Sequence, residues 1–511
     1  MASASICIII AIVIYLVGML FIGAFYSKSN KSSEDFYLGG RKLGPLVTAM
    51  STEASDMSAY LLMGLPGLAY FCGLAEVSWT AIGLALGTYL NWLIVAKKLR
   101  VYSHKINAIT VPDFFGKRFN DKSGAIEGVA ALIILIFFVP YVASIFVSCG
   151  KLFVAIFNTN YFVTMLISAI VIVTYTSMGG FMAASVTSLV QSIVMTVALI
   201  IVLIFGVRVS GGWGAVMDNA KSIPAYLSLV KSTDIISQGE GSFGFIPIVS
   251  TLAWGLGYFG MPHVLLHFMA VEKKESLPLC RRVGTIWVVI SMGVAVLVGI
   301  VGFAMTKAGA IGLLETSSDA EAIIVKISEL LSQYGILPAL LAGIILAGIL
   351  AASMSTADAQ LIASASAVTE NLLGNVFHVK LDSDKNMKIA RLAVIGIAII
   401  GFFFALNPDG NIFRIVSFAW GGFGATFGPI MLFSLFWKRA NRQGVISGMV
   451  AGAAMIFIWK YGVRPLGGAW DIYELLPAFI VNCIFVVIVS LATAEPEKEI
   501  TDVFDSVSAE I

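Results

Sequence analysis

Charge is scarce in this chain. Asp, Glu, Lys and Arg together make up 12% of its 511 residues, about half the share usual in a soluble domain. Cysteine is scarce as well. Cys7, Cys72, Cys149, Cys280 and Cys483 are scattered, odd in number and without metal-ligand spacing, so they point to neither a zinc site nor a disulfide framework. Most fall in apolar runs, where a free thiol is simply a small apolar side chain. No nucleophile–base pair, phosphate loop or signalling domain stands out, which argues against a membrane enzyme or a sensor. No repeated selectivity-filter sequence argues for an ion channel. His263 and His267 have i, i+4 spacing, but no HExxH glutamate lies between them, and both read as structural. The net charge of +2 gives no reason to expect nucleic acid.

What the chain does have is apolar length. Its mean hydropathy is +0.94 and 59% of its residues are hydrophobic. A membrane helix needs about 20 apolar residues, and about thirteen such stretches can be placed. They lie near 4–26, 45–71, 75–96, 125–156, 161–179, 181–207, 244–270, 283–306, 336–372, 389–406, 411–437, 443–462 and 473–495. The expected fold class is therefore an all-α membrane protein occupying 1–500, with 497–511 as a short acidic cytoplasmic tail. The first stretch is too long for a removable signal peptide and lacks a basic n-region. No soluble domain is expected beyond the spans. Lys97, Lys98, Arg100, Lys105, Lys117, Arg118, Lys122, Lys273, Lys274, Arg281, Arg282, Lys438, Arg439 and Arg442 fall on one side if the N-terminus is outside. The positive-inside rule then places the C-terminus inside.

Two spans are interrupted. The second carries STEASDMS (51–58) and the seventh carries WGLGYFGMPH (254–263). A carboxylate at the centre of a membrane helix costs roughly 2.5–3.5 kcal/mol on insertion scales. Glycine loosens a helix and proline removes a donor. Freed backbone groups are tolerated in a membrane only where protein buries them or they line a cavity. Interrupted spans five apart suggest inverted repeats, 45–207 and 244–437, with 1–26 and 443–495 as flanking helices. Two ordinary kinked helices are the plainer alternative.

The ninth span holds LAASMSTADAQLIASASAVTEN (350–371). Ala352, Ser355 and Thr356 have i, i+3, i+4 spacing and share a face. Ala54 and Met57 are three apart in the interrupted second span and can aim two carbonyls at one point. Together they offer three carbonyls and two hydroxyls, an uncharged set suited to a hard cation. Hydroxyls on small-residue helices also commonly bond their own backbone. That plainer use does not account for Asp358.

The stretches GGRKLGPLVTAMSTEASDMSAYLLMGLPG (39–67), VPDFF (111–115), WGLGYFGMPH (254–263), AASMST (351–356) and AWGGFGATFGP (419–429) resemble the sodium/solute symporter family. The likeness runs nearly end to end and is greatest to bacterial sodium/proline symporters. It implies a LeuT-like core of two inverted five-helix repeats, spans two to six and seven to eleven, in the plasma membrane. It implies sodium-driven import of a small solute such as L-proline, with Na+ as the co-transported ion, no organic cofactor and a functional monomer. By position it assigns sodium to Ala54, Met57, Ala352, Ser355 and Thr356. It places Ser55, Ser58, Tyr60, Tyr141, Trp254, Tyr258 and Pro262 around the solute. Asp56 and Arg41 match residues tied to sodium use and coupling.

Three departures from the family pattern carry information. Tyr60 stands where tryptophan is usual, giving a smaller ring with a polar handle and loosening the expectation of strict proline selectivity. Glu53 stands where glycine is usual, to bond a break-region amide, pair with a base or carry a proton. Asp358 stands three after Ser355, while the sixth-span position that holds an aspartate in some relatives reads Ser188. The expected consequence is a second cation site with its carboxylate moved to Asp358, aided by Ser188 and Ser355. A buried, hydrogen-bonded aspartate is the alternative. Another amino acid or carboxylate as solute, or proton coupling through Glu53 and Asp358, are the rival expectations for function.

Overall fold

The computed structural model describes residues 2–28, 32–157, 159–379, 383–406 and 412–510. The expected boundaries at residues 1, 411 and 511 fall outside these. The described chain is almost wholly helical, with one two-residue strand pair, Lys231–Ser232 against Gly241–Ser242. Ten described helices are long and apolar enough to cross a membrane, or eleven if the bent pair Phe245–Phe259 and Pro262–Ala270 counts as one span. The difference from thirteen lies in two places. Pro45–Cys72 is not among the ten, because its first half is polar. Tyr161–Val209 is one run of 49 residues, about 74 Å at 1.5 Å per residue, more than twice a hydrocarbon core of roughly 30 Å. Gly180 interrupts that run with φ 62° and ψ −164°, at the boundary expected between the fifth and sixth spans.

Exposure is inverted relative to a soluble protein. Ile14, Phe21, Ile204, Leu392 and Phe403 are each more than 60% exposed. So much apolar side chain facing outward suits lipid and not water. The centre is the Ile336–Ser366 helix, in which every residue from Ile345 to Ser366 is buried. It packs most extensively against Tyr161–Val209, and also against Ala2–Ser27, Pro45–Ala59 and Ala125–Phe157. Small residues permit the approach: a Cβ on Gly343 would meet Ile8 Cα at 3.1 Å.

Both interrupted spans are broken. In Pro45–Ala59 the backbone leaves helical geometry at Ser58, with φ 48° and ψ −167°. The break thus comes at the end of STEASDMS and not through it. A π-type turn, Tyr60–Gly64, and the Leu65–Cys72 helix follow. The seventh span runs from Phe245–Leu252 through a 3-10 segment, Ala253–Phe259, into Pro262–Ala270, with a bend of 44°. The Ala75–Leu90 helix lies flat on this break. A Cβ on Gly87 would sit 2.3 Å from Gly255 O, and one on Gly255 would sit 2.2 Å from Gly83 O.

Many of the basic residues gather at one end of the molecule. Arg100 donates to Val271 O at 2.6 Å, Arg118 to Ser434 O at 2.9 Å, and Arg442 pairs with Asp121 at 2.8 Å. The tail forms a helix, Lys498–Glu510, that closes on the same end. Lys274 pairs with Glu510 at 2.9 Å, Lys438 pairs with Asp505, and Phe504 lies 5.0 Å from the Arg118 guanidinium.

Candidate functional site

Pro45 opens the broken helix in its first turn, where a missing N–H costs nothing. Every residue from Thr48 to Ala59 is buried. Four of its hydroxyls turn back on their own backbone: Thr48 Oγ1 to Gly44 O at 2.8 Å, Ser51 Oγ to Thr48 O at 3.4 Å, Thr52 Oγ1 to Thr48 O at 2.6 Å and Ser55 Oγ to Thr52 O at 3.0 Å. Ser55, expected beside the solute, is therefore engaged by its own helix. Ser58 sits in a backbone region that costs a non-glycine residue on the order of 1–3 kcal/mol. Its Oγ accepts the Tyr60 amide at 3.1 Å, and Tyr141 lies against it.

The break faces the central helix. Ser355 Oγ lies 2.8 Å from Ala54 O and 3.2 Å from Ala352 O. Thr356 Oγ1 is 3.2 Å from that same Ala352 carbonyl. Four of the five expected sodium donors thus meet, from helices 301 residues apart in sequence. They are neutral oxygens, of the kind that suits a hard cation. The fifth, Met57, is buried nearby with its carbonyl accepting the Tyr60 N–H.

On the other side of Ser58 lies a stack of aromatic rings. Tyr60 is parallel to Trp254, with centroids 5.7 Å apart. Phe413 and Tyr473 stand 5.4 Å and 5.3 Å from Trp254. The unwound carbonyls of the seventh span are satisfied by side chains: Trp420 Nε1 donates to Trp254 O at 2.8 Å, and Asn91 Nδ2 to Tyr258 O at 2.9 Å. Pro262 then starts the next helix. Asp56 and the Tyr258 hydroxyl face each other, yet among the described residues Asp56 Oδ1, Tyr258 Oη and Tyr60 Oη have no partner within hydrogen-bond geometry. An unsatisfied buried polar group costs about 1–3 kcal/mol. Three beside one helix break, next to a wall of rings, fit a polar solute with an apolar body.

Among the described residues Glu53 bonds neither a break-region amide nor a base. Its Oε1 accepts from Trp92 Nε1 at 2.7 Å, and Oε2 has no partner. Asp358 accepts from Tyr175 Oη at 2.6 Å and lies 2.5 Å from Thr176 Oγ1. Ser188 is buried farther along the same 49-residue run, beyond the Gly180 interruption, and Ser355 turns to Ala54 and Ala352. The carboxylate is thus held by two hydroxyls that spacing did not identify. Arg41 reaches Met269 O at 3.1 Å, Ala108 O at 2.5 Å and Ser103 O at 3.4 Å. It ties the end of the seventh span to the loop after the third. His263 and His267 are buried against Phe138 and Phe181. Among the described residues no group of three or more His, Cys, Asp or Glu is placed to hold a metal.

The sequence matches the model of the Sodium:solute symporter family over residues 36–452. The chain belongs to this family. It is thus a multi-pass membrane transporter and not an enzyme. The symporter is 38% identical over 494 residues to a sodium/proline symporter of Staphylococcus aureus, covering 95% of this chain and 93% of that one. It is 40% identical over 496 residues to the osmoregulated proline transporter OpuE of Bacillus subtilis, covering 97% and 96%. Its fold is similar to that of a Na+-coupled sialic acid symporter solved substrate-bound and outward-open, with TM-score 0.78, 17% identity and coverage of 96% and 99%. A weaker likeness, TM-score 0.54 at 12% identity covering 94% and 99%, links it to Mhp1, a nucleobase-cation-symport-1 transporter.

Trp92, Tyr175, Thr176, Phe413 and Tyr473 also touch the symporter's candidate site and lie outside the motifs that the sequence singles out, while Trp420 belongs to AWGGFGATFGP (419–429). Asn91 and Trp92, a polar pair inside an apolar run, are the one local signal that was available.

Proposed function

We propose that the chain imports L-proline by sodium-coupled symport across the plasma membrane, as a monomer, through alternating access. The observation that carries this reading is the meeting of Ser355 Oγ with Ala54 O at 2.8 Å, directly beside the Ser58 break. An ion bound by Ala54, Met57, Ala352, Ser355 and Thr356 would steady the broken helix against the central one. The same helix continues into Ser58 and Tyr60, so steadying it shapes the solute pocket. Proline's ring would lie against Trp254 and Tyr60, with Tyr141, Tyr258 and Pro262 around it. Its charged groups would meet Asp56, the freed backbone and the unpaired hydroxyls. Asp358, with Tyr175 and Thr176 in place of Ser188, would hold a second cation.

The topology proposed is thirteen spans, counting Pro45–Cys72 as one and Tyr161–Val209 as two, with the N-terminus outside and the C-terminus inside. The basic end closed by Lys498–Glu510 supports this orientation. The broken spans, five apart, support inverted repeats over 45–207 and 244–437, flanked by 1–26 and 443–495.

The test is labelled proline uptake into proteoliposomes with and without an inward sodium gradient. Accumulation only with the gradient supports the reading, and equal uptake in potassium refutes it. A second reading, another small amino acid or carboxylate, is favoured by Tyr60, whose unpaired buried hydroxyl offers a bond that a tryptophan there would place elsewhere. Competition by a panel of solutes separates the two.

A further inference from the structure

The central helix does not stop at Ser366. It runs on as a π-type segment, Ala367–Val376, ten residues long. Such i→i+5 turns are rare and are found mostly at functional sites. Three of its side chains reach other parts of the chain. Thr369 Oγ1 lies 2.5 Å from Tyr37 Oη. Asn371 Nδ2 donates to Glu127 Oε2 at 2.9 Å, and the Thr110 hydroxyl lies 3.1 Å from Asn371 Nδ2 and 3.2 Å from its Oδ1. Asn375 Nδ2 donates to the same Glu127 oxygen at 2.5 Å. Tyr37, Thr110, Glu127, Thr369 and Asn371 are all buried.

Thr110 is set in place by a local cap. Its Oγ1 accepts the Asp113 amide at 3.1 Å, and Asp113 Oδ2 accepts the Ile109 amide at 2.9 Å, a reciprocal start to the Val111–Arg118 helix. The segment 103–110 that leads into it is gripped a second time, by Arg41 at Ser103 O and Ala108 O. Tyr37 and Arg41 both precede the broken helix, in Ser33–Leu38 and the turn after it. Thr369 and Asn371 end the central helix. These contacts therefore join the same two helices that meet at Ala54 and Ser355. Asn371 stands sixteen positions beyond Ser355, about 24 Å along the helix at 1.5 Å per residue, far from both the ion and the solute sites.

We propose that Asn371 is a positioning residue of the transport cycle: with Glu127 and Thr110 it latches the inner end of the central helix to the segment that Arg41 also holds. In the proposed orientation the solute leaves through this end, so the two helices must part here and the latch must open. The bound ion and the closed latch hold the same pair of helices together. Each therefore favours the other, and the coupling is reciprocal. The proposal rests on the ion-site reading above.

The test uses the full chain in nanodiscs. Labelled-proline binding is titrated with sodium at constant ionic strength, and hydrogen–deuterium exchange of residues 103–110 is followed in sodium and in potassium. In the unaltered protein sodium should slow that exchange. Asn371→Ala should abolish the difference and raise the sodium half-saturation about ten-fold or more, the usual worth of a lost hydrogen bond to a charged group. Asn371→Asp should do the same, because it sets a second carboxylate against Glu127. Adding Glu127→Gln to it exchanges donor for acceptor and should recover both readouts. Thr369→Val removes the bond to Tyr37 and should shift the half-saturation about two-fold to ten-fold, which keeps the test decisive if the Asn371 variants fail to fold. A lowered melting temperature with an unchanged half-saturation would make Asn371 a structural tie and overturn the latch, as would exchange at 103–110 that ignores sodium. Proline binding that ignores sodium in the unaltered protein would overturn the ion-site reading itself, and the latch with it.

Discussion

Replacing Ser355 by alanine isolates the contact on which the ion site depends. Ser355 is fully buried and its Oγ joins the central helix to the broken one at Ala54 O, 2.8 Å away. The substitution removes one of five proposed ion ligands and one hydrogen bond between helices. A hydrogen bond to a charged group is worth about 1.5–3 kcal/mol, so sodium affinity should fall about 10- to 150-fold. The lost neutral bond should lower stability by only about 0.5–1.5 kcal/mol. Ser353→Ala supplies the control. Its Oγ lies 3.0 Å from Ser148 Oγ, away from the site, so it loses a comparable bond and no ligand. The assay is proline uptake into proteoliposomes across a sodium series at fixed proline, with a thermal melt of each variant. Ser355→Ala should move the sodium half-saturation by at least ten-fold, and Ser353→Ala by less than two-fold. A shift below about three-fold in a folded Ser355→Ala protein, or equal shifts in both variants, would refute the reasoning.

Gly255→Ala should lower the melting temperature and abolish uptake, because its Cβ would sit 2.2 Å from Gly83 O and overpacking of a close contact typically costs about 1–3 kcal/mol; unchanged melting would contradict the packing described. Trp92→Phe removes the indole bond to Glu53 and should cost about 1–3 kcal/mol, with part of the loss recovered in a Trp92→Phe, Glu53→Gln double variant. Asp358→Asn should change both the sodium affinity and the Hill slope of uptake, and Tyr175→Phe should do so to a lesser degree. If neither variant moves either quantity, Asp358 holds no transported cation.

The breaks were legible because their causes are local. Gly255, Gly257, Gly260 and Pro262 cannot sustain a regular helix among themselves, and a run with Glu53 and Asp56 cannot face lipid. The pairing of residues 54 and 352–356 was legible only through long motifs matching a family, since serine spacing on a helix face says nothing about the partner. What spacing missed depends on how helices are rotated and where they cross. Ser188 and Thr176 lie on one run, twelve positions apart, and the Gly180 interruption decides which reaches Asp358. Trp92 reaches Glu53 from 39 residues away with no charge to announce the pair. The tail reads as a short acidic end, yet its Phe504, Asp505 and Glu510 find partners in Arg118, Lys438 and Lys274, on three separate segments that only the folded molecule brings together.

The central claim is that one ion, gripped between the Ser58 break and the 352–356 turn, sets the shape of the solute pocket. Isothermal titration of the purified chain with proline, at a series of sodium concentrations balanced by potassium, tests it most directly. The account predicts that sodium tightens proline binding, and that saturating proline tightens sodium binding by the same factor, as linkage requires. Proline affinity that is equal in sodium and in potassium would contradict it.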